Sequence, residues 1–150
     1  MPQFPLFDTN VYGNHEYNEI LQIALQRKHW LSSVVVQELL VIADRKEVVR
    51  WRVQMDEAAQ KDLLITPDRD DWYEVGRCLN RLHFGQVVDI GRLDQSHLSN
   101  LVKDALIARS AVRVGGFVVT DNASDFELIQ RVFRSLRFVT PSSYFQTRPR

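Results

Sequence analysis

Residues 117–126 read Phe-Val-Val-Thr-Asp-Asn-Ala-Ser-Asp-Phe. The apolar, partly β-branched start predicts a short buried strand over Phe117–Thr120. Asp121 follows the strand directly, and a helix is predicted from about Ser124 to Ser135. On the other side, Gly115-Gly116 ends a helix predicted from about Ser96 to Val114. Helix, glycine stop, apolar strand, acid and helix in succession are the marks of a strand buried on both faces.

The same alternation extends towards the N-terminus. Phe4–Phe7 is a short apolar run that stops at Asp8 and reads as a first strand. Pro5 argues mildly against that reading, because proline cannot donate to a ladder. A helix is expected over about Asn14–Arg27, then a strand within Trp30–Val36. Helices over about Val36–Arg45 and Val48–Asp62 come next, and Leu63–Thr66 reads as a strand. A helix over about Asp70–Phe84 has an acidic start, which suits a helix N-terminus. Gly85–Asp94 reads as a loop, and Arg137–Val139 as the final strand. Strands alternating with helices imply an α/β fold with a parallel sheet covered on both faces. Ligands in such sheets sit in the crevice beyond the strand C-termini.

The bulk numbers bound the class. The chain has 150 residues, 45% hydrophobic and 25% charged, which suits one soluble domain with an adequate core. We expect a single domain over residues 1–145, with Phe145–Arg150 a frayed basic end and 146–150 a short tail. The formal net charge is zero, so no whole-chain signal for nucleic acid exists, although a local basic path would suffice. One cysteine, Cys78, excludes an internal disulfide and a thiolate metal cluster and fits a reducing cytoplasm. No apolar run approaches the roughly 20 residues that span a bilayer, so no membrane association is expected. MPQFPLFDTN has no basic region followed by an apolar core, and no signal peptide is expected.

The informative residues are acids placed where apolar residues would be expected. Asp8 and Asp121 each follow a strand, at the crevice edge of the sheet. Asp104 shares a helix face with Leu101 and Ala108, and Glu38 shares one with Val35 and Ile42. A carboxylate facing the core is costly unless it is paired or binds a cation. Nothing basic lies close in sequence on the same faces as Asp8, Glu38 or Asp104. Converging carboxylates with all-oxygen ligation suit Mg²⁺ or Mn²⁺, which can activate water and stabilise a phosphodiester transition state. Each acid alone reads better as a helix cap or a solvated face than as a ligand. Their coincidence at one crevice carries the functional reading.

These residues resemble a known family, the PIN-domain ribonucleases. Asp8-Thr9-Asn10 after an apolar strand resembles the opening motif, and Glu38-Leu39 after Ser33-Val34-Val35-Val36 the second. Asp104-Ala105-Leu106-Ile107-Ala108 resembles the third, and Thr120-Asp121-Asn122-Ala123-Ser124-Asp125-Phe126 the fourth. The order matches over nearly the whole chain, and by size the nearest subgroup is the VapC-type toxin of toxin–antitoxin pairs. The resemblance implies a three-layer α/β/α sandwich and a metal-dependent endoribonuclease with RNA as substrate. It also implies a cognate antitoxin and a homodimer. Asp8, Glu38 and Asp104 would bind Mg²⁺ or Mn²⁺ with an acid from the fourth motif. Two alignments compete for that acid: Asp125 before Phe126, which we favour, and Asp121 directly after the threonine. Thr9 and Thr120 would orient carboxylates, while Asn10 and Asn122 would contact ligand or substrate. The polar segment from Glu47 to Asp62 departs from a minimal pattern; in related toxins this region helps form a dimer or an antitoxin groove. The alternatives are a PIN fold that binds RNA or protein without cutting, and a housekeeping nuclease without an antitoxin.

The remaining features have plainer readings. His15, His29, His83 and His97 form no pair at helical ligand spacing, which argues against a zinc site. Asp68-Arg69-Asp70-Asp71 reads as a helix cap, and Cys78 as buried packing. Arg131, Arg134 and Arg137 read equally as a path for phosphates and as a solvated helix face. Trp51, Trp72 and Tyr73 could stack on bases, but packing or subunit contacts suit them better.

Overall fold

The computed structural model describes residues 3–87 and 89–146. Its strands are β1 (Pro5–Phe7), β2 (Leu31–Ser32), β3 (Leu64–Ile65), β4 (Phe117–Val119) and β5 (Phe138–Val139). Its α-helices are α1 (Thr9–Tyr12), α2 (Asn18–Leu25), α3 (Ser33–Ile42), α4 (Arg45–Gln60), α5 (Arg69–His83), α6 (Gln95–Arg113), α7 (Ala123–Gln130) and α8 (Pro141–Gln146). A 3₁₀ turn, His15–Tyr17, lies between α1 and α2.

The strands pair in parallel in two groups, β1-β4-β5 and β2-β3, and a parallel bridge between Leu6 and Trp30 joins the groups. The resulting order is β3-β2-β1-β4-β5, which reverses direction between β1 and β4. That reversal opens a crevice at the C-terminal ends of these two strands. The fold is α/β with a parallel sheet, as expected.

Alternation along the strands separates two cores. Leu6 and Val118 face one side, packed with Val35, Leu101, Ala105, Phe126 and Ile129. Phe7 and Val119 face the other, packed with Val11, Leu21, Tyr144 and Phe145. Successive strand side chains point to opposite faces, so the neighbours Leu6 and Phe7 of β1 feed one layer each. Phe126 is fully buried, and truncation of such a core phenylalanine costs about 3–5 kcal/mol.

Several expected boundaries shift, each for a local reason. The Trp30–Val36 strand shrinks to Leu31–Ser32, because the Ser32 hydroxyl accepts from the N–H groups of Val34 and Val35 and starts α3. The β-branched run Val34–Val36 is therefore helical, with Val35 and Val36 buried in the first core. The single helix expected over Asn14–Arg27 is instead the 3₁₀ turn His15–Tyr17 followed by α2 from Asn18, and a short, unexpected α1, capped by Asp8 and ended by Gly13, precedes it. Helix α4 starts earlier than expected because Asp44 and Glu47 form a capping box. Asp68 and Asp71 form a second box at α5, in line with the capping reading.

The chain end is the main correction. Pro141–Gln146 forms α8, and Phe145 is buried against Phe7 and Tyr17 rather than frayed. Proline at the first helical position is preorganised for this. Residues 147–150 of the expected tail lie outside the described residues. Gly115 ends α6 with φ +69, a left-handed conformation that suits glycine. At Gly116 a Cβ would come within 3.0 Å of the Phe4 carbonyl and the Trp30 ring. Trp51 is buried edge-on to Tyr12, whereas Trp72 and Tyr73 are exposed. Cys78 is buried, and its burial pushes the thiol up to about 12, so it is inert packing. Among the described residues no helix is long and apolar enough to cross a membrane.

Candidate active site

Asp8 leaves the end of β1 and caps α1, accepting the Thr9 N–H at 2.7 Å. It is 3% exposed. Burial pushes its carboxyl above the ordinary range, as does the charge of Glu38. Hydrogen bonds from the Thr120 hydroxyl, the Thr9 N–H and the Asn10 amide pull the other way.

Thr120 lies just past β4, directly across the crevice. Its hydroxyl donates to Asp8 Oδ2 at 2.7 Å and accepts from Asn10 Nδ2 at 3.3 Å and from the Asn122 N–H at 3.0 Å. One donated and two accepted bonds use the full capacity of a hydroxyl. Asn10 also donates to Asp8 Oδ2 at 3.3 Å and accepts the Asp121 N–H at 3.1 Å. The ends of β1 and β4 are thereby tied together by side chains that continue the ladder.

Glu38 is brought in by α3, half-buried, with the Thr9 hydroxyl donating to its Oε1 at 3.1 Å. Asp104 comes from the middle of α6, also half-buried. Its carboxyl is pushed up to about 7 by burial and by the charges of Asp8, Asp125 and Glu38. The Asn122 amide opposes that rise, donating to Asp104 Oδ2 at 2.8 Å and to Asp125 Oδ2 at 2.9 Å. Asp125 sits in the first turn of α7.

Asp8, Glu38, Asp104 and Asp125 therefore converge from four different elements. Asp121 does not join them. It is exposed, and its charge helps push up the Tyr17 phenol, behind burial of that ring. Of the two alignments for the fourth acid, the geometry brings Asp125 to Asp104.

Among the described residues, no lysine or arginine forms an ion pair with any of the four acids. His97 is the one base nearby, with Nε2 at 3.8 Å from Asp125 Oδ1. The scattered sequence positions of the histidines do not single out His97. The signal was the spacing of seven, which places His97 two turns before Asp104 on one helix face.

The donor set is all oxygen, concentrated in negative charge and partly desolvated, so it suits a hard divalent cation in type and charge. The ring of ligands is not drawn closed: among the described residues no three acid, histidine or cysteine side chains meet at a common ion position. The amide nitrogen of Asn122 stands between Asp104 and Asp125 in the bridging place.

Comparison with solved structures places the fold. The chain is similar to one in the FitAB complex bound to the IR36 DNA fragment, at 14% identity and a TM-score of 0.59 over 92% of this chain and 95% of that one. It is similar to one in FitAcB from Neisseria gonorrhoeae, at 16% identity and a TM-score of 0.60 over 93% and 99%. A third similar chain belongs to VapBC2 from Rickettsia felis bound to a promoter DNA fragment, at 18% identity and a TM-score of 0.55 over 92% and 98%. No family model matches the sequence. No curated protein matches it either. At these identities the likeness is one of fold, the PIN-like α/β arrangement expected from the motifs.

Proposed function

We propose that this chain is a divalent-metal-dependent endoribonuclease and the toxin of a VapBC-type toxin–antitoxin pair. One observation carries the reading: four carboxylates, from the end of β1 and from α3, α6 and α7, converge at the sheet's switch point, and among the described residues no lysine or arginine is paired to them. Structural acids are ordinarily paired with cations, as the buried Asp71 is with Arg109 and Arg113. An acid cluster left without such partners suits a dissociable cation.

Asp8, Glu38, Asp104 and Asp125 would hold Mg²⁺ or Mn²⁺, which supplies Lewis acidity toward a phosphodiester. The chain's own part is positioning. Thr120 and Asn10 fix the rotamer of Asp8, Thr9 fixes Glu38, and Asn122 sets the separation of Asp104 and Asp125. Such preorganisation spares the reorganisation of ligands when substrate arrives. The partner half of the proposal draws on the fold neighbours, which are chains of FitAB, FitAcB and VapBC2 assemblies.

The test is cleavage of a mixed RNA substrate with and without Mn²⁺, using the parent and Asp104→Asn. Metal-dependent cleavage that the substitution removes supports the reading. Equal cleavage by Asp104→Asn, or no Mn²⁺-dependent cleavage of any RNA, defeats it and leaves a binding module. Growth arrest on expression, relieved by the product of an adjacent small gene, separates a toxin from a housekeeping nuclease.

A further inference from the structure

The acid cluster repels the RNA it is proposed to cut, and the chain's zero net charge supplies no general attraction. Cations therefore matter where they are grouped. Three of them, Arg27, Lys28 and Lys61, line one open cavity of about 750 Å³. It lies at the opposite end of the sheet from the acids. The chain there enters β2 and β3 after the C-terminal ends of α2 and α4.

None of these three cations forms an ion pair among the described residues. Lys28 is braced over the Phe4 ring, 4.7 Å from its centroid. Gln22, Gln26 and Gln54 add neutral hydrogen-bonding groups, and Leu25, Leu31 and Leu63 contribute an apolar part of the lining. Glu57 is the single carboxylate there, so cations outnumber it. Helix C-termini attract one cation each, which accounts for Arg27 after α2 and Lys61 after α4. It does not account for Lys28, for the three glutamines, or for a shared cavity between the two helix ends.

We propose that this cavity is a second nucleic-acid contact, holding a backbone phosphate of single-stranded RNA against Arg27, Lys28 and Lys61 with a base on the leucine side. Phosphate is held by cations and amide donors, and the leucines give a base apolar contact in place of the aromatic stacking common at single-strand sites. The cavity offers both, remote from the catalytic acids. The choice of RNA rests on the nuclease reading; the binding itself does not depend on catalysis.

The experiment is fluorescence anisotropy with a labelled 12-nucleotide single-stranded RNA in EDTA, where the acid cluster has no cation and cannot attract phosphate. The parent is compared with Arg27→Gln/Lys28→Gln/Lys61→Gln and with the control Arg45→Gln/Lys46→Gln/Arg50→Gln. The control removes the same charge from the exposed start of α4. The first triple variant is expected to bind at least about tenfold more weakly. Its slope of log affinity against log salt should be shallower by about 0.7, the value for one phosphate contact on a single strand. The control is expected to follow the parent.

Parent-like binding by the first variant overturns the proposal, and so does an equal loss in the control, which would mean unspecific attraction. A 5′-mononucleotide that binds the parent while the RNA does not overturns the strand and leaves a free nucleotide as the ligand. Circular dichroism confirms folding, and Lys61→Gln alone serves if the triple variant is unfolded. RNA held through this cavity but never cleaved with Mn²⁺ defeats the nuclease reading alone. Normal cleavage with unchanged binding in the triple variant defeats this one alone.

Discussion

The Thr120 hydroxyl donates to the buried Asp8 carboxylate at 2.7 Å and so joins the ends of β4 and β1, residues 112 apart in the chain. Replacing Thr120 by valine keeps the shape and removes the donor. A buried carboxylate that loses its best hydrogen bond costs about 1–3 kcal/mol. Thr120→Val should lose about that much in urea unfolding and should also cut RNA more slowly. Thr120→Ser should restore both. A valine variant as stable as the parent would show that Asp8 does not depend on this hydroxyl.

Stability of the metal-free protein should fall as pH rises through neutrality. The Asp104 carboxyl is pushed up to about 7 in the folded chain, first by burial, then by its acidic neighbours, and has an ordinary value near 3.8 when unfolded. Between these two values the folded state holds a proton that the unfolded state has released. Ionisation therefore favours unfolding, with full stability below about pH 4 and loss as pH passes about 7. In EDTA at pH 8, Asp104→Asn should melt higher than the parent, and the gap should close near pH 4. A parent melting temperature that is flat from pH 5 to 8 would contradict this.

A divalent cation should reverse that loss. In the proposed site, ligation replaces repulsion among Asp8, Glu38, Asp104 and Asp125, and a ligand that binds only the folded state raises its stability by mass action. Adding Mn²⁺ at pH 8 should raise the melting temperature of the parent, measured by calorimetry. It should leave Asp8→Asn nearly unmoved.

The fourth acid can be decided by two substitutions. Asp125 shares the Asn122 amide with Asp104, whereas Asp121 is exposed. Asp125→Asn should slow metal-dependent cleavage by on the order of 100-fold or more. Asp121→Asn should stay near the parent. The opposite ranking in single-turnover assays would restore the alternative alignment.

Away from the site, Asp71 is fully buried beneath Arg109 at 3.3 Å and Arg113 at 2.9 Å. Breaking a fully buried pair costs about 3–5 kcal/mol. Arg113 is about one-third exposed and Arg109 would remain, so Arg113→Ala should cost about 2 kcal/mol in urea unfolding. Cleavage per folded molecule should not change.

Asp8, Glu38 and Asp104 were each legible as acids out of place, because local pattern marks a charged residue on an apolar face or at a strand end; Asp125 was reached only through the resemblance of Thr120–Phe126 to a family motif. The parallel α/β class was legible for the same reason: strands buried on both faces are continuously apolar, and helices are periodic. The cap at Asp68 was also legible locally, whereas the Asp44–Glu47 box was not, because Asp44 sits within the run expected as the preceding helix. Helix α8 was missed because its signal, Thr140-Pro141, is short, and its stability comes from Tyr144 and Phe145 packing on Phe7 and Tyr17. The helical run Val34–Val36 was misread because tertiary burial and the Ser32 cap outweigh β-propensity.

The sequence by itself determined which residue types were available and which helix face or strand end each acid occupied, since period and capping act over a few residues. Only the tertiary structure decided which acids meet. Asp8 and Thr120 are brought together by the parallel pairing of β1 with β4, and Asp104 and Asp125 by the packing of α6 against α7. Those contacts depend on strand order and helix packing between segments far apart in the chain, which no local pattern encodes.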